Sequence, residues 1–195
     1  MKGKYLIFKN VLLIAGTNKY LRGYIDIETE DSDLSDAFDL IFTLPNSDGS
    51  KSHFRYHVSG DDSAEDDKQE MSVDEAIYSF LDEGGQEYFT GHIDEFAVLT
   101  AAEIDQEIVG RKWTVDKKEG DGISWSGKYE FEEGGSIKET IYDGSVGYFN
   151  QLSWILDGDN LVISGKSDKS CEVRKVKDGV FLLVLSGTPY AIMQK

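Results

Sequence analysis

The sequence predicts a mainly β protein, α+β overall, in which an N-terminal antiparallel sheet with one or two helices precedes an eight-stranded up-and-down antiparallel barrel or curled sheet. Three observations carry this expectation. Short β-branched and aromatic runs fill the first sixty residues, two capping boxes open amphipathic segments near Ser72 and Thr100, and from Gly110 onward the apolar period is two. Twenty glycines against two prolines suit tight turns between strands.

Val11 to Ala15 is a short apolar run of strand length. Tyr20–Glu28 and Phe38–Leu44 continue in β-branched and aromatic residues, and His53–Ser59 alternates. Ser72-Val73-Asp74-Glu75 then supplies a hydroxyl and a carboxylate for the orphan amides of a first helical turn, which predicts a helix over 73–83. Its apolar positions Val73, Ala76, Ile77, Phe80 and Leu81 form one stripe, and Gly84-Gly85 provides a left-handed stop. Thr100-Ala101-Ala102-Glu103 repeats the device, with Leu99 and Ile104 as a hydrophobic staple, and this second helix ends at Gly110.

Beyond Gly110, Ile123, Trp125, Tyr129 and Phe131 alternate with polar residues, the pattern of a half-buried strand. Turn signals at 119–122, 132–135, 143–144, 157–159, 165–169, 178–179 and 186–189 delimit about eight strands. Closure is expected because a long open edge invites pairing with other chains. Val180–Leu185 is apolar on both faces, so its outer side is expected to be covered, by the N-terminal half or the 73–83 helix. The division falls near residue 98, with an acidic β-rich domain over 1–98 and a short helix plus barrel over 99–195.

The formal net charge is −17, of which residues 1–100 carry −13 and residues 101–195 carry −4. Such a chain is repelled by nucleic acid phosphates and anionic headgroups, which excludes nucleic acid and membrane as expected partners and favours a basic protein. The carboxylates gather in two runs read as loops. Asp26, Glu28, Glu30, Asp31, Asp33 and Asp36 mark the first, and Asp61, Asp62, Glu65, Asp66 and Asp67 the second; together they are the candidate partner-binding residues. No span of roughly 20 apolar residues occurs. The N-terminal apolar stretch is broken by Lys9 and Asn10 without a small-residue cleavage site, which reads as a cytoplasmic protein.

The second half resembles a lipocalin-like, calycin-type barrel domain. The resemblance is carried by a short helix running into Gly110-Arg111-Lys112-Trp113 and by the meander WTVDKK, ISWSGKYEFEEGG, SIKETIYDG, YFNQLSWILDGDNLVISG, CEVRKVKDG and VFLLVL. Lipocalins open with a G-x-W motif whose Trp plugs the closed end. Here one extra residue separates Gly110 from Trp113, so the resemblance implies a role for Trp113 alone, as a barrel-end plug.

Catalytic and metal chemistry find little footing. His53 and His57, four apart on a strand, stand roughly 13 Å apart at about 3.3 Å per residue, too far for one ion. Asp31-x-Asp33 begins like an EF-hand loop but has Asp36 at the glycine position and Phe42 at the bidentate glutamate position. Cys171 stands beside Glu172 with no histidine near in sequence, and GISWSG (122–127) has one residue too many for a nucleophile elbow. No glycine loop is built to cradle phosphate. The expectation is therefore no catalytic residues, no metal and no cofactor.

Two functions from different classes fit. One is a non-catalytic binding protein whose acidic half docks a basic partner, as an immunity protein does in neutralising a bacterial nuclease-type toxin. The other is a lipocalin-like carrier of a small apolar ligand. Its candidate pocket is lined by Trp113, Trp125, Tyr129, Phe131, Tyr148 and Trp154, with Asn150 as an in-phase polar handle. A filled interior is the default for a barrel of this size.

Overall fold

The computed structural model describes residues 5–8, 11–14, 16–28, 37–59, 71–119, 122–143 and 146–195. In chain order it runs β1 (Tyr5–Phe8), β2 (Val11–Ile14), β3 (Lys19–Tyr20), β4 (Tyr24–Glu28), β5 (Ala37–Pro45), β6 (Lys51–Ser59), α1 (Val73–Asp82), β7 (Gly91–His92), β8 (Ala97–Val98) and α2 (Ala101–Ile108). There follow β9 (Lys112–Glu119), β10 (Gly122–Glu132), β11 (Ser136–Asp143), β12 (Val146–Asp157), β13 (Asn160–Ser164), β14 (Lys169–Lys177), β15 (Val180–Leu185) and β16 (Thr188–Gln194). Two compact units result. One holds Met1–Phe8, Ala15–Asn18 and Ile93–Lys195; the other holds Lys9–Ile14 and Lys19–His92. The division read from the sequence near residue 98 stands a few residues later, and the short N-terminal segments of the first unit lie outside it.

In the smaller unit β4, β5 and β6 pair antiparallel, with Ile25 opposite Phe42 and Phe42 opposite Phe54. Tyr20–Glu28 reads as one strand but is divided at Gly23. The glycine has φ +131°, and a Cβ there would stand 2.3 Å from the Thr43 carbonyl oxygen, so the chain turns where no side chain fits. Helix α1 starts on the expected capping box. The Ser72 hydroxyl accepts from the Glu75 amide and the Glu75 carboxylate accepts from the Ser72 amide at 2.8 Å. It buries Ala76, Ile77, Phe80 and Leu81. The Phe80 ring stacks on Phe42 at 4.1 Å between centroids and meets Phe54 edge-on at 5.3 Å. Gly84 takes the left-handed stop at φ +100°, whereas Gly85 is needed for space, because a Cβ would lie 2.4 Å from the Phe80 ring.

In the larger unit the eight strands β9 to β16 each pair with the next in sequence, antiparallel, and β16 returns to β9 with Ala191 opposite Lys117 and Met193 opposite Val115. The sheet is a closed ring. The ninth strand of this sheet, β8, pairs with the far part of β14, Val98 opposite Arg174, and the Leu99 amide donates to the Val173 carbonyl at 2.9 Å. From there α2 starts on its own capping box of Thr100 and Glu103. Asp159, in the β12–β13 turn, accepts from the Ala101 amide at 2.9 Å, so the positive end of the helix is fastened to one end of the ring. Leu99, Ile104 and Ile108 join the ring interior in one core with Trp113, Tyr129, Phe131, Phe181, Leu183 and Met193. Val180–Leu185 is buried on both faces from Val180 to Val184, as its composition requires. Among the described residues no helix is long and apolar enough to cross a membrane.

The Phe42–Phe80 stack is the joint between helix and sheet in the smaller unit. Phe80→Ala is expected to cost about 3–5 kcal/mol, read as a lowered midpoint in chemical denaturation followed by far-ultraviolet circular dichroism.

Candidate functional site

The alternation of β9 sends Trp113, Val115 and Lys117 into the ring. On β10 the same side carries Gly127, Tyr129 and Phe131, with Tyr129 opposite both Trp113 and Glu139. A register shift between Ile123 and Trp125 interrupts the even alternation that the sequence suggests for β10. Strand β11 contributes Ile137 and Glu139, β12 contributes Asn150, Leu152 and Trp154, and β14 contributes Lys169, Cys171 and Val173.

The two ends of the ring differ in chemistry. At the end covered by α2, the Trp113 indole N–H donates to the Ile108 carbonyl at 3.1 Å, and its ring meets Phe181 edge-on at 5.3 Å. Phe131 stands between Tyr129 and Trp154, at 5.9 and 6.2 Å. Trp113, Tyr129, Phe131 and Trp154, four of the expected pocket residues, are buried and packed together, so this part of the interior is filled. Trp125 pairs through its backbone with Lys117.

Toward the other end the interior turns polar. Glu139, 6% exposed, accepts from the Lys117 ammonium at 2.8 Å and from the Asn150 amide at 2.9 Å, and it also takes a hydrogen bond from the Tyr129 hydroxyl. The Lys117 ammonium lies 4.7 Å from the Tyr129 ring centroid. Burial alone would raise the Glu139 carboxyl, but the bonds from Lys117 and Asn150 outweigh it and hold the group below the usual glutamate range. Tyr129 is pushed well above the usual phenol range by burial and by the Glu139 charge. Burial likewise raises the Cys171 thiol to about 11, against the pull of Lys169, so the only cysteine is held protonated. Lys169, half-buried, places its ammonium 5.9 Å from the Tyr190 ring centroid.

Tyr148 and Asn150 stand apart from the buried members of the expected pocket set. Both share the inward phase of Trp154, yet Tyr148 is 54% exposed and Asn150 is exposed as well. Solvent reaches the inner side of the ring at this end. The amide of Asn150 is turned by its bond to Glu139, which fixes how its carbonyl and remaining N–H are presented. Lys117, Glu139, Lys169 and Tyr190 were absent from the residues expected at a site. Phase alone points to the first two, since Lys117 follows Trp113 and Val115 at intervals of two, and Glu139 lies between Ile137 and Ile141.

Of the acidic candidates, Asp26 and Glu28 belong to strand β4, opposite Ile41 and Asp39, rather than to a loop. Glu30, Asp31, Asp33, Asp36, Asp61, Asp62, Glu65, Asp66 and Asp67 lie outside the described residues. Asp39, just beyond the first set of acidic candidates, sits in β5 and is bound by Arg55 at 2.7 Å and His57 at 2.9 Å. His57 chiefly, with Arg55, holds its carboxyl below the usual range against the opposing effect of burial. His53 bonds instead to the Thr43 hydroxyl at 3.0 Å, so the two histidines serve different partners on their strand. Among the described residues no group of three or more His, Cys, Asp or Glu is placed to hold a metal ion.

Compared with known proteins, the chain matches no family model, no curated protein and no solved structure.

A carboxyl held below its ordinary value of 4.5 in the folded state contributes stability that is complete above that value and is lost as pH falls through the folded one. Acid titration of unfolding free energy is therefore expected to show a decline below about pH 4.5 that is reduced in Glu139→Gln. Equal acid sensitivity in the two proteins would remove Glu139 as a source of it.

Proposed function

We propose that this chain is a non-catalytic binding protein and that the end of the ring opposite α2 receives a small ligand with a compact apolar body. The observation that carries this reading is the exposure of Tyr148 and Asn150 at inward positions, in a ring whose Trp113, Tyr129, Phe131 and Trp154 are buried. The packed lower interior limits the depth available, so the ligand is small. Tyr148 offers a ring face, and the oriented Asn150 amide offers a donor and an acceptor. Trp113 is buried and its indole is bonded to the last carbonyl of α2, and the lipocalin-like resemblance assigns this residue a plug's role; together these support reading the opposite end as the entrance. Binding rather than covalent chemistry suits a site whose thiol is buried and protonated.

The test is a titration with neutral 2-phenylethanol followed by two-dimensional amide NMR. Saturable shifts centred on Tyr148 and Asn150 are expected, and Tyr148→Ala should weaken binding by about threefold to tenfold, the worth of one aromatic contact. Shifts that are absent or scattered over the surface overturn the reading.

The charge of −13 in the first hundred residues favours a second reading, capture of a basic protein by the acidic half, as an immunity protein captures a toxin. Under it, the association rate with immobilised basic proteins, a nuclease among them, should fall steeply between about 50 and 500 mM salt, as the Debye length shrinks from roughly 14 to 4 Å. Replacing Asp61, Asp62, Asp66 and Asp67 by Asn should slow association without lowering thermal stability. A rate indifferent to salt removes this reading.

A further inference from the structure

Lys117 and Lys169 both project inward in the larger unit, and Lys117 is paired with the Glu139 carboxylate. That carboxylate is committed: it is bonded by Lys117, Asn150 and Tyr129 and is itself nearly buried. Lys169 is in phase with Cys171 and Val173, both fully buried, and its ammonium rests against the Tyr190 ring rather than against an acid. A half-buried ammonium facing an aromatic ring has given up part of its hydration for a weaker partner.

We infer that the ring end selects a small organic carboxylate, with Lys169 meeting the ligand's charge and Tyr148 and Asn150 contacting its body. This rests on the reading of the ring end as a ligand site and adds the sign of the ligand's charge. An ammonium with a carboxylate makes a stronger bond than one with a neutral group, and the effect is larger where water is partly excluded. The net charge of −17 does not oppose it at short range, because at physiological salt the acidic surface is screened beyond about 8 Å and the nearest charge decides. A long acyl chain does not suit the site, since Trp113, Tyr129, Phe131 and Phe181 fill the interior beneath it. A compact ring or short branched body does.

Phenylacetate and 2-phenylethanol, which share a body and differ in charge, separate the two claims. Both are titrated by NMR against the wild-type chain and against Lys169→Gln and Lys169→Arg. Phenylacetate is expected to bind the wild type roughly tenfold or more tightly than the alcohol. Lys169→Gln should bring the two ligands level, and Lys169→Arg should keep the preference. If both ligands bind equally to the wild type, or if Lys169→Gln leaves the preference intact, the inference falls while the binding site stands. If neither binds, both fall. Amide spectra of each variant without ligand establish that the fold is kept.

Discussion

The hydrogen-bonded seam between β9 and β16 is the constraint on which the larger unit depends. With Ala191 opposite Lys117 and Met193 opposite Val115, eight strands become a ring without a free edge. Closure also makes one side of every strand an inside. Residues far apart in sequence, such as Tyr129, Cys171 and Met193, then meet in one shared interior. An open sheet of the same strands would leave those positions to solvent and to neighbouring chains.

Once closed, the ring must fill its interior and finish its ends. Helix α2 finishes one end, held by the Asp159 bond to its first turn and by the Trp113 indole on its last carbonyl. Aromatic rings fill the space beneath. The other end is finished with charge, and the Lys117–Glu139 pair is tolerated there because Asn150 and Tyr129 satisfy the carboxylate as well. A pair without those extra bonds would leave lone pairs unmet in a low-dielectric setting. Along the ring the interior therefore grades from apolar to polar.

The smaller unit solves its packing differently. Its sheet has a helix for a cover, and the Phe42–Phe80 stack joins the two. Phe80 in turn explains Gly85, which the helix-stop pattern marks without distinguishing it from Gly84: one glycine serves a left-handed turn and the other a close approach. The acidic signal belongs to this half of the chain, and within it Asp39 is engaged locally by Arg55 and His57.

The sequence by itself determined what depends on neighbours along the chain. Both capping boxes, the stripe of α1, the eight strands after Gly110 and the turns between them follow from periodicity, turn chemistry and local hydrogen bonding, which act over a few residues. It also placed Trp113, Tyr129, Phe131 and Trp154 on the inner side, because period-two alternation is a local property. Only the tertiary structure decided that Glu139 meets Lys117 and Asn150, that Tyr148 is open where Trp154 is shut, and that Lys169 faces Tyr190. Those facts depend on which strand lies across the ring and how far along it each residue sits. Strand register and closure set both, and they arise from contacts between segments that no local pattern links.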